Sequence, residues 1–292
     1  MQEWTGDAVQ RHTQKVKEHG VALLAVLWLV AALSIMLTGL QYAVRGEIRV
    51  ANQVRKSVVS NGLADAAIRL TLRELEIEKS RAIKFVQTKT LTVFGNEVKV
   101  EVIPLNGYID LNSAPMSLLA DAFEYGAGVP RQDAQRLAAN VMETRDRKSA
   151  EGIPARYHAV EDLLRPGGLD YNVYAKIKNS LTADIVGSGR INPVAASLDT
   201  LTILAKGDQG RAQQLFASRL SNPDSMDTTS FAANHIEIAP TSYLVIRATT
   251  LMPDHTGLER TWRVNMSSPA YGLPWRVLSI DPSVVADTRP LK

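Results

Sequence analysis

The chain has 292 residues, 45% hydrophobic and 22% charged, proportions that suit a folded protein with room for one large domain or two small ones. Its 33 basic and 30 acidic residues leave a net charge of +3, too balanced for electrostatics alone to specify a nucleic-acid partner. Cysteine is absent, which excludes disulfides, thiolate zinc sites and a thiol nucleophile.

Val21 to Leu40 contains no ionisable side chain, and eleven of its residues are Val, Leu or Ile. At ~1.5 Å of rise per residue such a run covers roughly 30 Å, the thickness of a bilayer's hydrocarbon core. At about −0.3 to −0.6 kcal/mol per aliphatic residue it favours insertion by roughly 3–7 kcal/mol. No other apolar run is comparable, so the sequence predicts a single-pass anchor and one soluble part. A cleaved secretory signal fits less well. The run is longer than an ordinary signal core, and Leu40-Gln41-Tyr42-Ala43 has no small residue three before the cut. Positive charge does not set the orientation, because Arg11, Lys15 and Lys17 precede the run while Arg45, Arg49, Arg55 and Lys56 follow it.

The anchor passes without proline into an amphipathic stretch. Val50, Val54 and Val58 recur every four residues; Leu63, Ala67 and Leu70 continue the stripe, and Ile68, Leu72 and Leu75 widen it. One helix from Val21 to about Lys79 is predicted, with this stripe set against the chain's own sheet or a partner's helix. Leu91 to Phe94, Gly95-Asn96 and the alternating Val98 to Val102 read as a β-hairpin. More than a hundred residues of helical pattern follow, and strands return at Tyr243–Leu251, Leu258–Met266 and Trp275–Ile280. Strands on both sides of a helical block predict an α+β fold: an antiparallel sheet interrupted by an inserted α-helical domain.

Two segments of the block resemble each other. Gly107-Tyr108-Ile109-Asp110-Leu111-Asn112-Ser113-Ala114-Pro115 leads into Met116 to Phe123, and Gly189-Arg190-Ile191-Asn192-Pro193-Val194-Ala195-Ala196-Ser197 leads into Leu198 to Ala205. Asn112 or Ser113 is expected to cap the first helix, with Pro115 near its first turn, and Ser197 the second. The pattern indicates a duplicated helical unit. Gly126-Ala127-Gly128, with Arg131 and Arg136 nearby, has the layout of a helix-hairpin-helix module whose turn presents N–H groups to a phosphate. Glu124 and Asp133 flank that turn and no basic cluster surrounds it, which favours a plain helix-helix turn. A membrane-tethered DNA-binding protein of competence type is the alternative this leaves.

These features together resemble the K-type minor pseudopilins of bacterial type II secretion. The residues that carry the likeness are a polar leader ending in Gly20, then Val21-Ala22-Leu23-Leu24-Ala25-Val26-Leu27-Trp28, the long helix, the strand pair, and Ile109-Asp110-Leu111-Asn112-Ser113-Ala114 at the start of the insertion. The resemblance implies cleavage by prepilin peptidase between Gly20 and Val21 and methylation of the new N-terminus at Val21. It further implies a single-pass inner-membrane protein with its folded domain in the periplasm. The implied partners are I-type and J-type minor pseudopilins and other pseudopilus subunits, and the implied place is the pseudopilus tip; no nucleic acid is expected. Most pilin-like proteins carry Glu at the fifth mature position. Here it is Ala25, a departure the K type shares. The implied division is a leader at 1–20, the helix at 21–80, sheet at 81–106, the insertion at 107–233 and the remaining sheet at 234–292.

No enzyme motif accompanies this pattern. His12, His19, His158, His235 and His255 show no metal-ligand spacing, and there is no nucleophile elbow, phosphate loop or dinucleotide fingerprint. Asp254-His255 reads as part of a hairpin loop. No cofactor is expected. Calcium is the one metal the resemblance raises, with the oxygen-rich Ser221 to Thr229 as the place to seek it and a solvated linker as its plainer reading.

Overall fold

A computed structural model describes residues 8–148, 152, 154–165, 168–185, 187–221, 226–251 and 256–287, without the side chains of 8–21, 39–46, 220–221, 251, 256 and 286–287. The chain divides into two compact units, 1–59 and 60–292. Asp254-His255, Pro166-Gly167 and residues 222–225 of the oxygen-rich loop lie outside the described residues.

The first unit is helical. Its helix, α1, is assigned from Ala8 to Ile77 and so enters the second unit. Gly20 is not a helix boundary, although the sequence pattern breaks there. A lone glycine costs only about 1 kcal/mol against alanine and does not stop a helix that continues on both sides. Described side chains from Ala22 to Thr38 are exposed, as are Val50, Val54 and Val58. Val21, Gly39 and Leu40, the ends of the apolar run, fall among the side chains outside the description. Among the described residues no helix is long and apolar enough to cross a membrane.

In the second unit the last turns of α1 lie on a six-stranded sheet. The strands are β1 (Gln87–Val93), β2 (Asn96–Pro104), β5 (Tyr243–Leu251), β6 (Thr256–Asn265), β7 (Arg276–Ile280) and β8 (Val284–Asp287). Their order is β1-β2-β5-β6-β7, all antiparallel, and β8 shares the outer edge of β6 with β7. Alternation puts Val98, Val100, Val102, Leu244, Ile246, Ala248, Trp262 and Val264 on the face that packs against Ala64, Ala67, Ile68, Leu72 and Leu75. Full burial of each large aliphatic there contributes about 1.5–3 kcal/mol.

This is not the whole stripe expected. Leu70 is exposed, like the three valines. At about 100° per residue, a strict spacing of four drifts ~40° at each step and winds off any one face. The buried set mixes steps of three and four, and it lies in the turns that the sheet covers.

Between β2 and β5 the chain leaves the sheet. After one 3₁₀ turn, Leu105–Gly107, it forms β3 (Ile109–Asp110), α2 (Met116–Asp121), a π-turn (Ala122–Gly126), α3 (Arg131–Asp146), α4 (Tyr171–Ile177), β4 (Leu181–Thr182), α5 (Leu198–Leu204) and α6 (Gln209–Ser221). β3 and β4 pair in parallel. These elements enclose their own core around Phe123, Leu118, Leu119, Ile177, Leu201 and Ile203. The fold is therefore α+β, a long N-terminal helix on an antiparallel sheet interrupted by a helical insertion. Asn106 and Asn192 tie the insertion to the sheet: both side chains donate to Ala239 O, at 2.9 and 3.4 Å, and Asn192 also donates to Lys84 O at 2.8 Å.

Candidate functional site

The two similar segments lie against each other. Ile109 and Ile191, equivalent in the two copies, are fully buried, and each sits in a short parallel pairing, with Leu181 and Ile236 respectively. In the first copy Ser113 N donates to Asp110 O at 3.3 Å; in the second the equivalent Ala195 N donates to Asn192 O at 3.1 Å. Each copy's second helix ends with an arginine that returns to the same point of its own lead-in. Arg145 donates to Ala114 O at 2.8 Å, and Arg219 donates to the equivalent carbonyl of Ala196.

The expected caps are only partly present. Ser197 accepts from Thr200 N at 3.1 Å and caps α5. Asn112 and Ser113 do not cap α2, which starts after Pro115 with no side-chain cap. Asn112 instead pairs with the backbone of Tyr157, accepting from its N–H and donating to its C=O, both at 2.9 Å. Ser113 donates to Asp110, whose carboxyl burial pushes above the usual range against the hydrogen bonds from Ser113 and Asn112 N. Asp170 caps α4 through Asn172 N at 2.8 Å.

The glycine turn does not present itself to a phosphate. Ala127, Gly128 and Val129 donate their N–H groups to Ala122 O, Glu124 O and Phe123 O at 3.3, 3.1 and 3.1 Å. A Cβ on Gly126 would come within 3.0 Å of both Ile177 and Ile203, so that glycine serves close helix packing. Arg136 pairs with Asp133 at 2.8 Å. The three N–H groups of the turn are thus satisfied within the chain.

One constellation has no sequence signal. His235 Nε2 meets Ser117 Oγ at 2.8 Å, and its Nδ1 lies 3.6 Å from Asp121 Oδ2. With the carboxylate beside Nδ1 the proton belongs there, so Ser117 donates to Nε2. The order is that of a serine triad, with the imidazole itself only 6% exposed. Geometrically it fastens the segment that returns to the sheet onto α2. Burial holds the imidazole below its usual value, with Asp121 opposing. A pair separated by more than a hundred positions shows nothing in periodicity or spacing.

Gly20 and Val21 lie within α1, and Ala25 is exposed on it. Of the oxygen-rich loop, Asp227 Oδ1 accepts from Thr229 N and Oγ1 at 3.0 and 2.6 Å, closing a local turn. Among the described residues no three His, Asp or Glu side chains gather as a metal would require, so the described part of this loop does not fit a calcium cage.

The sheet face away from α1 carries charge. Arg247 lies between Glu101 at 3.4 Å and Glu259 at 3.2 Å, and Arg263 between Asp281 at 2.8 Å and Asp184 at 3.6 Å. All of these residues but Glu101 line a cleft of about 710 Å³ beneath the helical insertion.

No family model matches the chain, and no curated protein matches it. Its structure is similar to a chain in the crystal structure of the GspK-GspI-GspJ complex from the enterotoxigenic Escherichia coli type 2 secretion system. The two are 13% identical with a TM-score of 0.49, and the match covers 82% of this chain and 99% of that one.

Proposed function

We propose that the chain is a minor pseudopilin of the K type: a non-enzymatic, membrane-anchored subunit that caps the pseudopilus of a type II protein secretion system and supports export of folded proteins. One observation carries this reading. A long N-terminal helix buries its C-terminal stripe on an antiparallel sheet, and a helical insertion opening with Ile109-Asp110-Leu111-Asn112-Ser113-Ala114 parts β2 from β5. In this reading residues 1–20 are a leader removed by prepilin peptidase, Val21 is the methylated N-terminus, and residues 107–233 are the inserted domain. Val21–Leu40 rests in the inner membrane, the folded part in the periplasm, and the partners are I-type and J-type minor pseudopilins.

Ala25 supports the capping role on physical grounds. A carboxylate in an apolar helix is costly unless paired. Within a fibre such an acid can meet a neighbouring subunit's N-terminus; the terminal subunit has no neighbour above and needs none. The bulk of the insertion obstructs further addition in the same way. The N-terminal mass of the protein recovered from the membrane fraction tests the proposal. A methylated chain beginning at Val21 is expected, and a chain with Met1 intact overturns it.

A further inference from the structure

The two edges of the six-stranded sheet differ. On one side β7 and β8 divide the edge of β6 between two short strands, with Pro282 between them and a register shift at Arg263/Val264. Short strands, bulges and prolines keep an edge from pairing with another chain. On the other side β1 ends the sheet as seven residues in unbroken register with β2, from Gln87↔Val102 to Val93↔Asn96. It contains no proline, and its one charged side chain, Lys89, is held by Glu74 of α1. A straight edge of this kind offers its outward N–H and C=O groups to a further strand.

Alternation sorts the side chains of β1. Leu91 and Val93 pack into the core beneath α1, and Lys89 reaches Glu74 on the same side. Thr88, Thr90 and Thr92 are exposed on the opposite face. The strand is close to a palindrome about Thr90. Paired antiparallel with its own copy across a two-fold at Thr90, it sets Thr88 against Thr92, Lys89 against Leu91 and Gln87 against Val93. No like charges then oppose each other, and the threonines form one continuous cross-strand row. Such self-complementarity is what an isologous contact requires.

We propose that β1 is the interface for a second copy of this chain, joining two sheets edge to edge through antiparallel β1 strands centred on Thr90. The pairing stands apart from the secretion reading: an unprocessed N-terminus would overturn that reading and leave this one intact.

The chain has no cysteine, so single-cysteine variants of the full-length protein in detergent report the register directly. Opposed residues of an antiparallel pair stand about 4.5–5.5 Å apart at Cα, within the span of a disulfide. Under copper–phenanthroline oxidation, Thr90→Cys should link to itself at least about tenfold faster than Thr88→Cys alone or Thr92→Cys alone, whose copies lie about 14 Å apart. Mixed Thr88→Cys and Thr92→Cys chains should link to each other as fast as Thr90→Cys does. All three positions are exposed on one strand, so chance encounters or crowding in a micelle would link them alike. Sedimentation velocity of the unaltered protein should show a dimer that grows with concentration. Thr90→Lys should abolish it, because like charges would face each other across the two-fold. Equal linking rates for the three single variants overturn the proposal. So does an unaltered protein that stays monomeric at about 100 µM, which would leave this edge to a strand of a different protein.

Discussion

Gly107 and Gly189 occupy the same position in the two copies of the repeated unit, and each is pressed against the backbone of the other copy. A Cβ on Gly107 would stand 2.5 Å from Ala195 O, and one on Gly189 would stand 2.0 Å from Ser113 O. Ala195 and Ser113 are themselves equivalent, so the contacts are reciprocal and the copies are related by an approximate two-fold. Neither neighbour is a flexible side-chain end, so relief requires the backbones to part. Gly107→Ala and Gly189→Ala should each destabilise the fold by about 2–4 kcal/mol in chemical denaturation. Gly189→Ala should be the worse, because its φ of +75° adds strain. The double variant should cost less than the sum, since both open one interface. Gly210→Ala, in α6 with only ordinary contact to Asp208, should be neutral or stabilising by up to about 1 kcal/mol.

Asn112 provides a second test, in the lead-in of the first copy. Its amide takes the place of a strand neighbour for Tyr157 and reaches Ala183 O at 3.1 Å as well. Asn112→Asp removes two donors and sets a carboxylate against two carbonyl oxygens. A loss of about 2–4 kcal/mol is expected, easing as acid protonates the new group. An Asn112→Asp stability that does not improve on acidification would show that the amide is not the pairing partner.

What the sequence makes legible follows the range of the interactions. Gly95-Asn96 marks the β1–β2 hairpin because such a turn needs φ > 0, but the turn falls one residue earlier: Phe94 and Gly95 take +47° and +78°, and Asn96 already pairs with Val93 in the ladder. Tyr243–Leu251 is visible through its β-branched and aromatic content, and Ser197 through its place three residues before the N–H it caps. Asn112 misleads because Asn before a helix usually caps it, whereas here a distant backbone competes for the same amide. The buried turns of α1 are misplaced because Val50, Val54 and Val58 are as apolar as core residues, and only the sheet decides which turns it covers. Arg219 and His235 depend on partners that only the folded chain brings near.

Asp65 is the polar counterpart of that helix–sheet packing. Its Oδ1 accepts from Arg260 Nε and Trp262 Nε1, both at 3.0 Å, linking α1 to β6. Asp65→Ala should cost about 1–3 kcal/mol in urea denaturation, as two donors lose one acceptor. Leu70→Gln, five residues on and exposed, should stay within about 0.5 kcal/mol of the parent. Comparable losses at both positions would mean that α1 presents a different face to the sheet.

If Ala25 marks a terminal subunit, then Ala25→Glu should bring no gain in secretion by cells carrying the otherwise complete system. An acid there has no subunit above to neutralise it and costs insertion free energy, about 2.5–3.5 kcal/mol for an unpaired Asp at a membrane helix centre. A clear rise in exported protein would remove the physical basis for the cap.

The His235 contact predicts a pH dependence whose sign is fixed. In the folded chain burial holds the imidazole below its ordinary 6.5; Asp121 opposes this and Lys206 reinforces it. The unfolded chain therefore takes up a proton that the folded chain does not. Stability from this group is full above pH ~6.5, falls as the pH drops through that value, and levels off below the folded one. Asp121, raised by burial, acts with the opposite sign in a lower window: the folded chain protonates it first, so its contribution improves as acid passes its folded value toward 3.8. The urea midpoint should therefore decline as the pH falls below about 6.5 and then flatten once the folded imidazole is also protonated. His235→Gln, which keeps an acceptor for Ser117 and cannot titrate, should abolish the decline while leaving the lower feature. A decline unchanged in His235→Gln would place the titrating group elsewhere, and the Ser117–His235 bond would then have no part in the acid sensitivity of the fold.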